Sequence, residues 1–322
     1  MNYPDTQLLR AFAILLIINS HLDLYYPIKH FATGGAIGNS IFFFLSAFGL
    51  YLSQQNKNKQ FREFMADRIS RIYPSLWIVL IFLMMPIMLF SGKLSIDNAT
   101  TFIGYFFNPP YWFLQSLIVY YILSFYFLNQ VHGNNRKISM FIFLGFMILI
   151  YFSCYFSWVD LNTWSVENTP FDRIHYFMVF VFGIYIAMNN KSISYTGVHN
   201  YLILLTVVVL FYAHKYLMTK GLFFEFQFLQ QAAMYPLVYY LLKISRSPFI
   251  LNKLEQSASI VATVNFLSNH TLEIYMIHET LNRPVLKLEL AFPLNIVFFV
   301  SVTFIFSAIV NKLAAIARRK IN

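Results

Sequence analysis

Along this chain, apolar residues gather into runs of roughly twenty, the length a helix needs to cross the hydrocarbon core of a bilayer, and short polar stretches separate the runs. Ten such runs are legible, at residues 8–24, 36–53, 73–90, 111–128, 138–158, 174–188, 201–217, 223–242, 264–281 and 291–315. The pattern predicts an all-α polytopic membrane protein of about ten transmembrane helices, forming a single transmembrane domain over residues 1–322. The eighth run holds Glu225, Gln227, Gln230, Gln231 and Pro236, which predicts a broken or tilted helix facing a cavity rather than lipid. No fixed-period repeat, low-complexity tract or long linker interrupts the series.

Charge orients the helices. With the N-terminus inside, the cytoplasmic loops hold Arg10, Lys57, Lys59, Arg62, Arg68, Arg71, Arg136, Lys137, Lys191, Lys243, Arg246, Lys253, Lys312, Arg318, Arg319 and Lys320, sixteen of the 23 basic residues. The outer loops hold the other seven, Lys29, Lys93, Arg173, Lys215, Lys220, Arg283 and Lys287. This asymmetry follows the positive-inside rule and places both termini in the cytoplasm. Composition agrees, since 58% of the residues are hydrophobic and 11% charged, against about 25% charged in soluble domains. A net charge of +10 does not indicate nucleic acid, because the bases sit in loops between apolar runs and not on one face of a soluble body. The lone cysteine, Cys154, excludes a disulfide, a Cys-rich metal site and a cysteine dyad. The first run is short, is broken by Asn19, Ser20 and His21 and lacks a small-residue cleavage pattern, so it is expected to be a retained helix.

Charged residues inside spans are costly and therefore candidates for function. Arg10 and His21 are eleven residues apart on the first helix. At 100° and 1.5 Å per residue they share a face to within about 20° and lie about 16 Å apart along the axis, roughly the reach of a phosphopantetheine arm. The alternative is a snorkelling Arg10 and a His21 hydrogen-bonded between helices. Arg68 and Arg71 stand one helical turn apart before Tyr73-Pro74, with Pro74 expected in a first turn. They suit the phosphates of a nucleotide donor or, alternatively, anionic lipid. Trp112 and Gln115 begin the fourth run, and Tyr275, His278 and Glu279 occupy the ninth, where they would meet an exported acceptor or form an aromatic belt and a wetted helix end. Glu273 needs a partner that sequence does not name. Asp23 is about 200° from His21 on a helix, so no His–Asp dyad is expected.

Taken in order, Arg10 and His21, Phe42-Phe-Phe-Leu-Ser46-Ala47-Phe48-Gly49, Arg68-Ile-Ser-Arg71-Ile-Tyr-Pro74, Trp112-Phe-Leu and Leu272-Glu-Ile-Tyr-Met-Ile-His278 resemble the acyltransferase-3 family of bacterial membrane acyltransferases. The resemblance spans most of the chain. It differs at Ala47, where the family often has glycine, and these residues include no appended hydrolase-like domain. Either this chain would complete transfer itself or it would pass the acyl group to a partner.

The resemblance implies an O-acyltransferase of the bacterial cytoplasmic (inner) membrane, most simply an O-acetyltransferase. It would take its acyl group from cytoplasmic acetyl-CoA or another acyl-CoA as co-substrate, with no metal. It would modify a glycan or lipid-linked saccharide beside membrane lipid, and glycan-assembly enzymes are the expected protein partners. Arg10 and His21 carry over as essential residues, with Ser46, Arg68 and Arg71 joining Arg10 on the donor side. His21 is then expected as general base or as a transient acyl carrier. The alternative function is a secondary transporter or flippase for a glycolipid or organic anion, which the polar eighth run would suit.

Overall fold

The computed structural model describes residues 4–54, 59–92, 96–130, 136–165, 171–190, 193–195 and 197–321. Lys57, Lys93 and Lys191 of the charge pattern lie outside the described residues, as do the side chains of Arg136, Lys137 and Lys320. Among the described residues the structure is helical, without strands. The helices are α1 (Pro4–Ser20), α2 (Gly35–Gln54), α3 (Phe61–Val79), α4 (Met85–Phe90), α5 (Ile96–Gly104), α6 (Trp112–Gln130), α7 (Arg136–Trp158) and α8 (Phe171–Met188). They are followed by α9 (His199–Thr219), α10 (Phe228–Ser245), α11 (Pro248–Gln256), α12 (Ala258–Asn269), α13 (Thr271–Leu286) and α14 (Leu294–Ile321).

Six stretches among the described residues are long and apolar enough to cross a membrane, namely Lys29–Gln54, Phe61–Phe90, Ile138–Trp158, Phe171–Met188, His199–Thr219 and Leu294–Arg319, with Trp112–Leu128 a shorter apolar helix. The chain is a multi-pass membrane protein. The expected spans outside this set, α1, α10 and the α12–α13 pair, are the segments that hold Arg10, the glutamines, Glu273, His278 and Glu279.

The boundaries depart from the apolar runs where polar side chains intervene. α1 starts at Pro4 and stops at Ser20, before the expected end at residue 24. In the last turn of α1 the Asn19 side chain donates to the main-chain oxygens of Phe31 (2.8 Å) and Thr33 (2.9 Å), and Ser20 donates back to Ile17 (2.8 Å). α3 begins twelve residues before the expected start at 73, so Pro74 lies inside the helix instead of in its first turn. The ninth run is two helices, broken at His270. The exposed main-chain oxygen of Asn269 is met by Asn311 (3.3 Å), as helix ends require. α10 runs unbroken through Pro236, after a left-handed Phe223 and a single tight turn at Phe224–Phe226.

The chain groups into two compact units. The first comprises Met1–Leu9, Asn39–Asn58 and Leu123–Val261. In it α8 meets α2 closely at Gly183, where a Cβ would run into the main-chain oxygen of Phe44. Tyr155, Phe171 and their neighbours form an aromatic core between α7 and α8. The polar head of the eighth segment is satisfied by protein. Gln227 donates to the oxygens of Asp160 (3.0 Å) and Thr163 (2.7 Å) and accepts from Ser165 N–H (2.8 Å), while Gln231 accepts from Tyr151 (2.7 Å). A cleft of about 330 Å³ between α7, α8 and α10 is largely apolar, with Ile148, Phe152, Met178, Phe182 and Phe228 on its walls. At the other end of α10, Arg246 is fully engaged by Asp5 (2.7 Å), Asn190 (2.7 Å) and the oxygen of Ile193 (3.0 Å).

The second unit comprises Arg10–Gly38, Lys59–Ile122 and Ala262–Asn322. α3, α13 and α14 pack together in it, and Tyr25 stacks on Phe299 with ring centroids 5.1 Å apart. Gly38 allows the chain to close on α1, since a Cβ there would sit 2.7 Å from the main-chain oxygen of Ala13.

Candidate active site

His21 is the first residue past α1, in a tightened final turn closed by its N–H on the oxygen of Ile18 (3.0 Å). Its Nδ1 lies 2.9 Å from the oxygen of Ile17. A carbonyl oxygen can only accept, so Nδ1 carries a proton, and in the neutral ring Nε2 holds the lone pair. That lone pair faces Glu279 Oε2 at 3.4 Å. Thus the acid opposite His21 is Glu279 of α13, and Asp23 is not part of the contact.

The neighbouring residue on α13 completes a triad. His278 has no exposed surface, and its Nδ1 is likewise tied to a main-chain oxygen, that of Ile274 at 3.0 Å. Its Nε2 approaches His21 Nδ1 (3.4 Å) and Glu279 Oε2 (3.8 Å), and the two imidazoles meet edge to face. His21 and Glu279 keep 38% and 46% of their side-chain surface exposed, so a ligand can reach the base nitrogen while His278 backs it.

The surroundings fix this geometry. Asn282, one turn beyond His278, donates to the main-chain oxygen of His21 (2.9 Å). The Tyr25 hydroxyl donates to the oxygen of Asn282 (2.6 Å), and Asn295 donates to that of Tyr25 (2.9 Å). Since the Thr280 hydroxyl already donates to Met276 (2.8 Å), the buried Tyr111 hydroxyl is the donor in its 2.7 Å bond to Thr280. Tyr275 fills the space between Phe113 and His278, at ring distances of 5.2 and 5.5 Å. Glu273 finds its partner in the buried Ser75, which donates to it at 2.6 Å.

The predicted residues therefore divide into groups. His21, Tyr275, His278 and Glu279 come together. Gln115 turns back to the oxygen of Pro109 (2.8 Å), a brace for the head of α6, and Trp112 stands edge-on to Phe113. Arg10, Arg68 and Arg71 form a second cluster: Arg71 acts electrostatically on both Arg10 and Arg68, and so does Tyr121. Arg68 is buried over the rings of Phe64 (5.4 Å) and Tyr121 (5.7 Å), whereas Arg71 is exposed. Like charges repel, so the field of Arg71 on Arg10 and on Arg68 favours an anion beside them. Ser46 is half-buried on α2 in the first unit. Asn282, Asn295, Tyr25 and Thr280 were not singled out by sequence, although the four-residue spacing of Asn282 from His278 puts those two on one helix face.

No solved structure matches the chain. The chain is 29% identical over 124 residues to the "Putative peptidoglycan O-acetyltransferase YrhL" of Bacillus subtilis (strain 168). That match covers 37% of this chain and 19% of the relative, so the chain aligns with only a small part of the relative's length. The family described as an acyltransferase domain matches residues 3–312, which include both clusters. The chain belongs to the acyltransferase-3 family.

Proposed function

We propose that this protein is an O-acetyltransferase of the bacterial inner membrane, moving the acetyl group of cytoplasmic acetyl-CoA to a hydroxyl of a cell-surface or exported glycan. The observation that carries this reading is the partly exposed His21, its Nε2 3.4 Å from Glu279, in a chain of an acyltransferase family. The name of the Bacillus subtilis relative points to peptidoglycan as one such glycan.

In this reading the donor phosphates rest on Arg10, Arg68 and Arg71, bidentate contacts that suit guanidinium groups. Helical rise over the eleven residues from Arg10 to His21 is about 16 Å, so the thioester at the end of its arm arrives near the imidazole. His21 Nε2 takes the proton of the acceptor hydroxyl as its oxygen attacks the thioester carbonyl. The C–S bond breaks, the ester forms, and the imidazolium returns its proton to the leaving thiolate. Glu279 lies where the new N–H appears and stabilises that charge, while the Nδ1 bond to Ile17 holds the tautomer, as the carboxylate does in hydrolase triads. No metal takes part.

Gln227 and Gln231 of the eighth run are bonded to protein and its cleft is largely apolar, which argues against a polar transport pathway. Purified protein incubated with [14C]acetyl-CoA and peptidoglycan fragments tests the assignment. Label on a glycan hydroxyl supports it; uptake of a glycolipid into vesicles with no acylation would overturn it.

A further inference from the structure

Among the described residues, His21, His278 and Glu279 form a group whose donor atoms, one from each, lie within 4.8 Å of one another. Both imidazoles present Nε2 because both Nδ1 atoms are tied to main-chain oxygens, the outer-sphere arrangement that orients histidines as metal ligands. Three electron-rich atoms thus converge with no proton required between Nε2 of His21 and the Glu279 carboxylate. For bonds of about 2.0–2.1 Å in a tetrahedron, ligand atoms stand roughly 3.3 Å apart. The His21–Glu279 pair already meets that spacing at 3.4 Å, the His278–Glu279 pair at 3.8 Å needs to close by a fraction of an ångström, and the imidazole nitrogens, within 4.8 Å of each other, have the furthest to close.

We propose that this triad is a binding site for a zinc-like dication and that metal bound there inhibits transfer. Two imidazoles and one carboxylate match zinc and cobalt better than magnesium or calcium, which prefer all-oxygen ligand sets. A fourth position stays open on the side where His21 and Glu279 are exposed. Inhibition follows because the metal takes the same Nε2 lone pair that must accept the acceptor's proton; this half rests on the reading of His21 as base, whereas metal binding does not.

Co2+ titrated into the purified full-length protein in detergent reads binding without any acyl substrate. The expected result is one equivalent giving the visible absorption of tetrahedral cobalt, displaced by Zn2+. Glu279→Gln and His278→Ala should each weaken binding by more than the about 10–100-fold that loss of an outer-sphere partner costs, whereas the exposed His30→Ala should bind as the parent does. Absence of a saturable signal, or a signal unchanged in Glu279→Gln and His278→Ala, overturns the site. In the transfer assay, stoichiometric Zn2+ should abolish activity and chelation should restore it. Binding with transfer undiminished would overturn the inhibitory role and count against His21 as base.

Discussion

His21 gains its chemical definition from three contacts, two of which predict a kinetic effect. Ile17 sets the tautomer, Glu279 receives the developing charge and Asn282 fixes the main chain. Glu279→Gln preserves shape and removes charge, so kcat should fall by about tenfold or more, the equivalent of about 1.4 kcal/mol in the barrier, with the KM for acetyl-CoA unchanged. A matching rise in KM with kcat intact would assign Glu279 to ground-state binding instead. Asn282→Ala should also lower kcat selectively, since its side-chain amide holds the oxygen of His21. On the donor side, Arg71→Ala should raise the KM for acetyl-CoA more than it lowers kcat, and an unchanged KM would return Arg71 to a role in topology. Most of these residues were visible in the sequence as polar groups in apolar runs. Their meeting was not, because His21 and His278 are 257 residues apart and helical periodicity within one segment says nothing about which segments pack together.

At the scale of elements, apolar periodicity located the helices well and their ends poorly. A hydropathy run records where lipid-compatible residues are. It does not record where Asn19 or His270 captures a main-chain group and stops the helix, nor that a polar segment from Phe61 continues into the third span. Glycine contacts were equally hidden, since a close approach shows only when both partners are placed. Gly183→Ala should therefore be costly: the added Cβ meets the main-chain oxygen of Phe44, which cannot swing away as a side chain could. Overpacking of this kind costs about 1–3 kcal/mol, read as a lower midpoint in thermal unfolding of the detergent-solubilised protein. The unbroken α10 makes the same point in reverse. Its glutamines suggested the lining of a polar cavity, but the segment between α7 and α8 supplies the partners of Gln227, and Tyr151 of α7 that of Gln231.

For the whole molecule, composition and charge established a multi-pass membrane protein, and the match over residues 3–312 places it in the acyltransferase-3 family. One compact unit contains both the arginine cluster and the His21–His278–Glu279 triad, so the positions proposed for donor and acceptor chemistry belong to one structural body. The central claim is that His21 is the base of the reaction. Its most direct test is transfer by purified His21→Ala, with folding verified by an unchanged thermal midpoint. The account predicts a loss of about 10²–10⁴-fold in kcat, the contribution of a general base, with binding of acetyl-CoA retained. Transfer at the parent rate by folded His21→Ala would contradict it.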